Sequence, residues 1–163
     1  MTAVDADTGD ATALERLQVI QSSESVALVG VSANPIRSSN FVAAYLLRTP
    51  WRVYMVNPAY DEVLGVPCYP TLADLPEVPD IVDVFRREDA IPGVTGEAID
   101  VGAKVLWLQL GLRHEAAAAK ARAAGLQVVQ DRCLKIEHAR FSGRLNLAGF
   151  NTGLIASRRR RPL

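Results

Sequence analysis

The stretch VALVGVSANPIRSSN (residues 26–40) passes from an apolar run through a polar loop to the start of a helix. Its first part, Val26–Val31, is short and rich in valine, which is typical of a strand buried on both faces of a parallel sheet. The loop that follows carries small hydroxyl and amide side chains, and helical spacing begins at Asn40. This order of strand, turn and helix predicts the first unit of an α/β sheet.

Four more apolar runs of similar length follow along the chain. They are Arg52–Val56, Ile81–Phe85, Lys104–Leu108 and Leu126–Val129. Segments with helical character lie at Ala11–Gln21, Asn40–Arg48, Glu88–Val101 and Glu115–Ala124. Because short strands that alternate with helices form parallel sheets covered on both faces, the sequence predicts a Rossmann-like three-layer sandwich with a five-stranded parallel sheet. In the proline-rich span 58–80, we expect a degenerate crossover in which Glu62–Cys68 forms a small hairpin or an irregular extension.

The composition fits one globular domain. The chain has 163 residues, of which 49% are apolar, and its 18 basic residues balance its 18 acidic residues. This zero net charge argues against a whole-domain electrostatic grip on nucleic acid. Cys68 and Cys133 stand far apart and form no C-x-x-C pair, which argues against a disulfide framework or a structural zinc site.

The two ends of the chain differ from the middle. Residues 1–10 are small and acidic and predict a disordered leader, residues 11–150 form the predicted domain, and residues 151–163 form a basic tail. The like charges of Arg158–Arg161 favour a solvated, disordered tail, with weak contact to nucleic acid as the alternative. No apolar run approaches the roughly 20 residues that a membrane helix needs. The leader also lacks the pattern of a signal peptide, so we expect a cytoplasmic protein without membrane contact.

The carboxyl ends of parallel strands meet at one edge of a sheet, where open α/β sheets bind their ligands. After the first strand, Ser32, Ser38 and Ser39 offer hydroxyl groups, and Arg37 offers a guanidinium group beside a helix N-terminus. Free N–H groups and the positive end of the helix dipole favour a phosphate at such a place. The alternative is that Ser38, Ser39 or Asn40 only caps the helix.

The ends of the second and third strands narrow the choice of ligand. The third strand ends in Phe85-Arg86-Arg87, a ring and two guanidinium groups that suit an adenine and phosphates. The alternative is a core phenylalanine followed by two solvated arginines. The patterns G-x-G-x-x-G and G-x-x-x-x-G-K-[ST] are absent, and Asn57-Pro58 stands where dinucleotide-binding domains place an acidic residue. The sequence therefore predicts a nucleotide with several phosphates, held without an acidic ribose clamp.

Five short segments together resemble the stand-alone CoA-binding protein family. They are VALVGVSANPIRSS (26–39), MVNP (55–58), VDVFRREDA (82–90), GAKVLWLQLG (102–111) and QDRCLKIEHAR (130–140). That family is similar to the CoA-binding domain of succinyl-CoA synthetase alpha subunits, and the resemblance covers about residues 16–145. It implies a Rossmann-like domain that holds coenzyme A along the carboxyl edge of its sheet.

The resemblance also implies which residues line the ligand. Those assigned to the diphosphate are Gly30, Val31 and Ser32, with Arg37 and Ser38 nearby. Those assigned to the rest of the ligand are Asn57 and Pro58 at the nucleotide end, Phe85, Arg86 and Arg87 beside the adenine or a phosphate, and Gln109 in the same crevice. His114 and His138 do not stand in the phosphohistidine motif of the synthetases, so ligase activity is not implied.

The predicted function is a non-catalytic module that binds coenzyme A or an acyl-CoA, without catalytic residues or a metal. Cys133, directly after the fifth strand, is a candidate reactive thiol, and an inert buried cysteine is the alternative. His138 is expected to be structural. Two other functions stay open: a Cys133-dependent acyl-CoA or thiol-redox enzyme, and an NADP-dependent reductase in which Arg86 or Arg87 holds the 2′-phosphate. The span 58–80 is a candidate interface for a second copy or a protein partner.

Overall fold

A central sheet with helices on both faces forms the fold. The computed structural model describes residues 9–142. Within that range the strands are β1 (Ser25–Val29), β2 (Arg52–Val56), β3 (Glu62–Val63), β4 (Val66–Tyr69), β5 (Ile81–Val84), β6 (Val105–Leu108) and β7 (Gln127–Val129). The helices are α1 (Ala13–Ser22), α2 (Ser38–Leu46), α3 (Ile91–Val101), α4 (Glu115–Ala123) and α5 (Leu134–Ser142). Most of the predicted leader and the whole basic tail 151–163, with Arg158–Arg161, lie outside the described residues.

The order of the strands reverses beside β1. From edge to edge, the described strands lie in the order β3-β4-β2-β1-β5-β6-β7. All neighbours are parallel except β3 and β4. The chain runs outward from β1 through β2 to β4 and then returns to the other side of β1 with β5. This reversal is the topological switch point at which doubly wound α/β sheets form a crevice.

The prediction of a five-stranded sheet is wrong, because the proline-rich span adds two short strands. β4 extends the sheet in parallel with β2, and β3 pairs with β4 in an antiparallel hairpin. Leu64 and Gly65 at its turn both have positive φ, 53° and 78°, as a type I′ hairpin turn requires. Pro67 within β4 and the two-residue length of β3 leave no alternating pattern to read.

The helices form two layers that bury opposite faces of the sheet. Side chains such as Leu28, Met55 and Trp107 face the layer of α1, α2 and α5. Their neighbours along the strands, such as Ala27 and Leu106, face α3 and α4. All five are fully buried, as expected for a parallel sheet that is covered on both faces. The predicted Rossmann-like α/β fold is confirmed.

Helix α5 is held to α1 by a buried ion pair. Nε of Arg16 lies 3.2 Å from Oε2 of Glu137, and both side chains are buried. A helix whose inner face carries a charged residue gives a weak apolar periodicity. For this reason the sequence pattern did not predict α5, although its N-terminus lies at the carboxyl edge of the sheet.

Candidate functional site

Gly30 lets the ends of β1 and β5 approach each other at the switch point. Its φ is +87°, and its N–H donates to the carbonyl oxygen of Val56 at 2.8 Å. A Cβ atom at this position would lie 2.9 Å from the carbonyl oxygen of Phe85 and 3.1 Å from Cδ of Arg86. Glycine is therefore required here by both conformation and space. The structure brings Gly30, Phe85 and Arg86 together, as the sequence predicted for this edge.

We expect Gly30→Ala to lower the free energy of unfolding by about 1–3 kcal/mol, the usual cost of a non-glycine residue in a disfavoured backbone conformation. Chemical denaturation measures this change. Gly96→Ala in α3 is the matched control, since nothing lies within 4 Å of its added Cβ, and it should stabilise the helix by about 0.5–1 kcal/mol. Equal stability of Gly30→Ala and the wild type would contradict the close approach.

The loop between β1 and α2 is held by its own side chains. The hydroxyl oxygen of Ser32 accepts a hydrogen bond from the N–H of Asn34, and the side-chain oxygen of Asn34 accepts one from the N–H of Ile36, both at 3.0 Å. Two side chains of α2 bind the backbone of Ser32. Oγ of Ser39 accepts from the N–H of Ser32 at 3.0 Å, and Nδ2 of Asn40 donates to the carbonyl oxygen of Ser32 at 2.9 Å. These bonds fix the loop that the sequence assigns to the phosphates.

The N-terminus of α2 faces this loop without a side-chain cap. Arg37 occupies the N-cap position and makes no capping bond. The alternative in which Ser38, Ser39 or Asn40 only caps the helix is wrong, because Ser39 and Asn40 bind Ser32 instead. An uncapped N-terminus offers N–H groups and the positive end of the dipole to an anion. Arg37 and Ser38 are exposed beside it.

Val31, after β1, and Asn57, after β2, have structural roles at the edge of the sheet. The side chain of Val31 is fully buried, so any contact with a ligand would come from its backbone. Nδ2 of Asn57 donates to the carbonyl oxygen of Val31, and Oδ1 accepts from the N–H of Ala59, each at 2.9 Å. Asn57 thus holds the end of β2 to the loop after β1, while Pro58 next to it is exposed.

The three residues after β5 have different environments. Phe85 is half-buried against the core on the side of α2 and α5. Arg86 is half-buried beside Gly30, and within residues 9–142 its guanidinium group forms no hydrogen bond or ion pair. Arg87 is exposed and pairs with Asp89 at 2.9 Å. Of the two arginines, Arg86 is therefore the one with an uncommitted charge at the crevice.

Gln109 follows β6 and is bound to a buried acid. Its Nε2 lies 2.9 Å from both carboxyl oxygens of Asp83. Asp83 is fully buried in β5, opposite Leu28 and Trp107. Burial raises the pKa of the Asp83 carboxyl well above its ordinary value, and the hydrogen bond from Gln109 offsets only part of that rise. The amide of Gln109 is thus bound to a group in the protein interior, whereas the resemblance implies that Gln109 faces the ligand crevice.

Cys133 lies at the N-terminus of α5, where its carbonyl oxygen accepts from the N–H of Glu137 at 3.0 Å. Burial is the main cause that raises the pKa of its thiol. Backbone N–H groups of Ile136 and Lys135 act in the opposite direction but do not offset the burial. The group is a thiol with a high pKa, which disfavours the reactive thiolate that nucleophilic chemistry needs.

His138 is part of a ring cluster between α2 and α5. Its Nδ1 lies 3.0 Å from the hydroxyl oxygen of Tyr45, and its ring stands edge-on to Trp51 at 4.7 Å. Burial lowers the pKa of His138. These contacts agree with the expected structural role of His138.

Metal clusters and membrane-spanning helices are absent from residues 9–142. No group of three or more His, Cys, Asp or Glu side chains in this range is arranged to hold a metal ion. None of the helices in this range is long and apolar enough to cross a membrane.

The sequence does not predict the roles of several residues that shape the edge. The sequence offers Ser39 as a phosphate-binding hydroxyl or a cap and Asn40 as a cap, but it does not predict their hydrogen bonds to Ser32. Asp83 lies in a run that predicts only an apolar strand. Asp131 was not singled out, although its Oδ1 accepts from the N–H of Gly111 at 2.7 Å and its φ is +54°. A charged residue inside an otherwise apolar strand, as in IVDVF, was the available signal.

Comparisons with known proteins match most of the chain. The family model described as "CoA binding domain" matches residues 24–139. The uncharacterized protein YneT of Bacillus subtilis (strain 168) is 37% identical over 122 residues, which cover 75% of this chain and 90% of that protein. A solved structure of a hypothetical protein from Pyrococcus horikoshii OT3 is 37% identical, with a TM-score of 0.80, and the match covers 88% of this chain and 98% of that chain.

A shorter match links the chain to a larger enzyme. ADP-forming acetate–CoA ligase I of Archaeoglobus fulgidus is 33% identical over 72 residues, which cover 44% of this chain and 10% of the ligase. The comparisons lend no support to an NADP-dependent reductase or to a Cys133-dependent enzyme. The resemblance read from the five sequence segments is confirmed, and the chain belongs to the CoA-binding domain family.

Proposed function

We propose that this chain binds coenzyme A, free or acylated, at the edge where β1 and β5 meet, as a module without catalytic residues. The observation that carries the proposal is the juxtaposition of Gly30, the uncapped N-terminus of α2 and the uncommitted Arg86 at the switch point. The cytoplasmic location and the use of span 58–80 as an interface stay predictions.

The chemistry of the edge fits a ligand with several phosphates. The dipole of α2 and the guanidinium groups of Arg37 and Arg86 supply positive charge, and neither guanidinium is paired within the described residues. Coenzyme A carries a diphosphate and a 3′-phosphate, which such groups bind through charge-assisted hydrogen bonds. At the end of β2, Asn57 stands in place of a carboxylate that would repel a phosphate near the ribose.

The same residues favour binding over catalysis. The thiol of Cys133 has a raised pKa, and His138 is engaged by Tyr45. Neither group is therefore activated for a step at the thiol or the acyl group of the ligand. The ligase activity named for the archaeal relative belongs to a protein of which this chain matches only 10%.

A thermal-shift series with coenzyme A, dephospho-CoA, NAD, NADP and ATP tests the proposal. Coenzyme A should give the largest stabilisation, about 2.7 kcal/mol at a hundred times its dissociation constant. Dephospho-CoA should give less, because it lacks the 3′-phosphate. Stabilisation by NADP but not by coenzyme A would contradict the proposal and favour the reductase.

A further inference from the structure

A buried carboxyl group lies beneath the proposed site and has no part in holding phosphates. Asp83 and Phe85 are two residues apart on β5, so their side chains share one face of the sheet. Phe85 and Arg86 border the proposed site, which places Asp83 one layer below it. Burying a carboxyl group costs free energy even when it is neutral. An acid at position 83 is therefore expected to have a role that offsets this cost.

Asp83 is connected to the edge through Gln109. The side-chain amide of Gln109 donates to both oxygens of Asp83, and its main-chain carbonyl oxygen accepts from the N–H of Leu112 at 2.8 Å. One residue thus carries both the anchor to β5 and the hydrogen bond that closes the turn after β6. The turn, residues 109–112, lies at the carboxyl edge of the sheet.

The same turn is held from the opposite side by Asp131, which follows β7. Oδ1 of Asp131 accepts from the N–H of Gly111 at 2.7 Å, and the N–H of Asp131 donates to the carbonyl oxygen of Leu112 at 3.0 Å. Asp131 keeps a positive φ of 54° in this arrangement. The turn is therefore fixed between a buried acid on one side and a constrained residue on the other.

We propose that Asp83 is a positioning residue for the ligand, because it fixes the turn 109–112 through Gln109 at the ligand-binding edge. The inference rests on the proposed function. Asp83 acts without touching the ligand: it holds the wall of the crevice at a set distance from Phe85 and Arg86.

Three variants of the full chain test the role by calorimetric titration with coenzyme A. Asp83→Leu removes the anchor and should weaken binding about tenfold, the equivalent of one lost hydrogen bond to a buried polar group. Asp83→Asn keeps an acceptor for Gln109 and should bind within about twofold of the wild type. Thr95→Val, which removes a buried hydroxyl in α3 on the other face, should destabilise the protein and leave binding unchanged.

Amide hydrogen exchange of the ligand-free protein gives a second readout. Exchange at Gly111 should be faster in Asp83→Leu than in the wild type and in Thr95→Val, and Asp83→Asn should restore slow exchange. If Asp83→Leu does not fold, Gln109→Met breaks the same link and should show the same two effects.

The outcomes separate the two proposals. Normal coenzyme A binding and unchanged Gly111 exchange in Asp83→Leu or Gln109→Met would overturn the role of Asp83 and leave the proposed function intact. A wild type that does not bind coenzyme A would overturn the proposed function, and with it any role of Asp83 toward that ligand.

Discussion

Arg86→Gln should weaken the binding of coenzyme A by about tenfold to a hundredfold, since a hydrogen bond to a charged group contributes about 1.5–3 kcal/mol. Arg86 lies beside Gly30 and its guanidinium group is uncommitted within residues 9–142. Glutamine keeps a long polar side chain but removes the charge. The variant should fold normally, because no ion pair of the described structure is lost.

Arg87→Gln is the matched control for Arg86→Gln. Arg87 is the next residue in the chain, but its side chain is 87% exposed and pairs with Asp89. Exposed ion pairs contribute little to stability, so the loss of this pair should not affect folding. Because Arg87 is paired with Asp89, its charge is not free for a ligand in the way that the charge of Arg86 is. Calorimetric titration should give an affinity within about twofold of the wild type. Equal losses in the two variants would mean that Arg86 has no special place in the site.

Asp83→Asn should change how the stability of the protein depends on pH. Burial raises the pKa of Asp83 well above its ordinary value, so the folded chain keeps a proton that the unfolded chain, with a pKa of about 3.9, has lost. Between these two pKa values the free energy of unfolding of the wild type therefore falls as pH rises, by up to about 1.4 kcal/mol per pH unit. Asparagine does not titrate, so the free energy of unfolding of the variant increases relative to that of the wild type as pH rises through this range.

Chemical denaturation at pH 5, 6, 7 and 8 measures the effect as the difference in free energy of unfolding between variant and wild type. The difference should move in favour of Asp83→Asn as pH rises from 5, and it should level off once the carboxyl group of Asp83 ionises in the folded protein. Asp89→Asn, the same substitution at a side chain that is 69% exposed, should show no comparable trend. A difference for Asp83→Asn that does not change with pH would mean that Asp83 is already ionised in the folded protein.

The sequence predicts the elements that carry the edge because each has a strong local signal. The run Val26–Val29 is apolar throughout and becomes β1, and Gly30 directly after it takes the positive φ that the close approach needs. The loop to α2 and the residues Phe85 and Arg86 follow predicted strands. Strand ends in a parallel sheet share one edge, so their proximity follows without knowledge of the strand order.

Other features depend on contacts between distant residues and leave no local signal. The small hairpin that is one of the two alternatives for Glu62–Cys68 does form, as β3 and β4. The sequence does not predict that Cys68 and Tyr69 of β4 pair with the end of β2 and so join the hairpin to the sheet. The apolar stretch around Asp83 predicts a strand correctly, but only the fold shows that Gln109 is its partner. The family resemblance implies that Gln109 faces the ligand crevice, whereas in the structure its amide binds Asp83 in the interior.

A crystal structure of the protein with coenzyme A tests the central claim most directly. The account predicts density for the diphosphate between the loop Gly30–Arg37 and the guanidinium group of Arg86, at the N-terminus of α2. Density for the nucleotide at any other face of the sheet would contradict it.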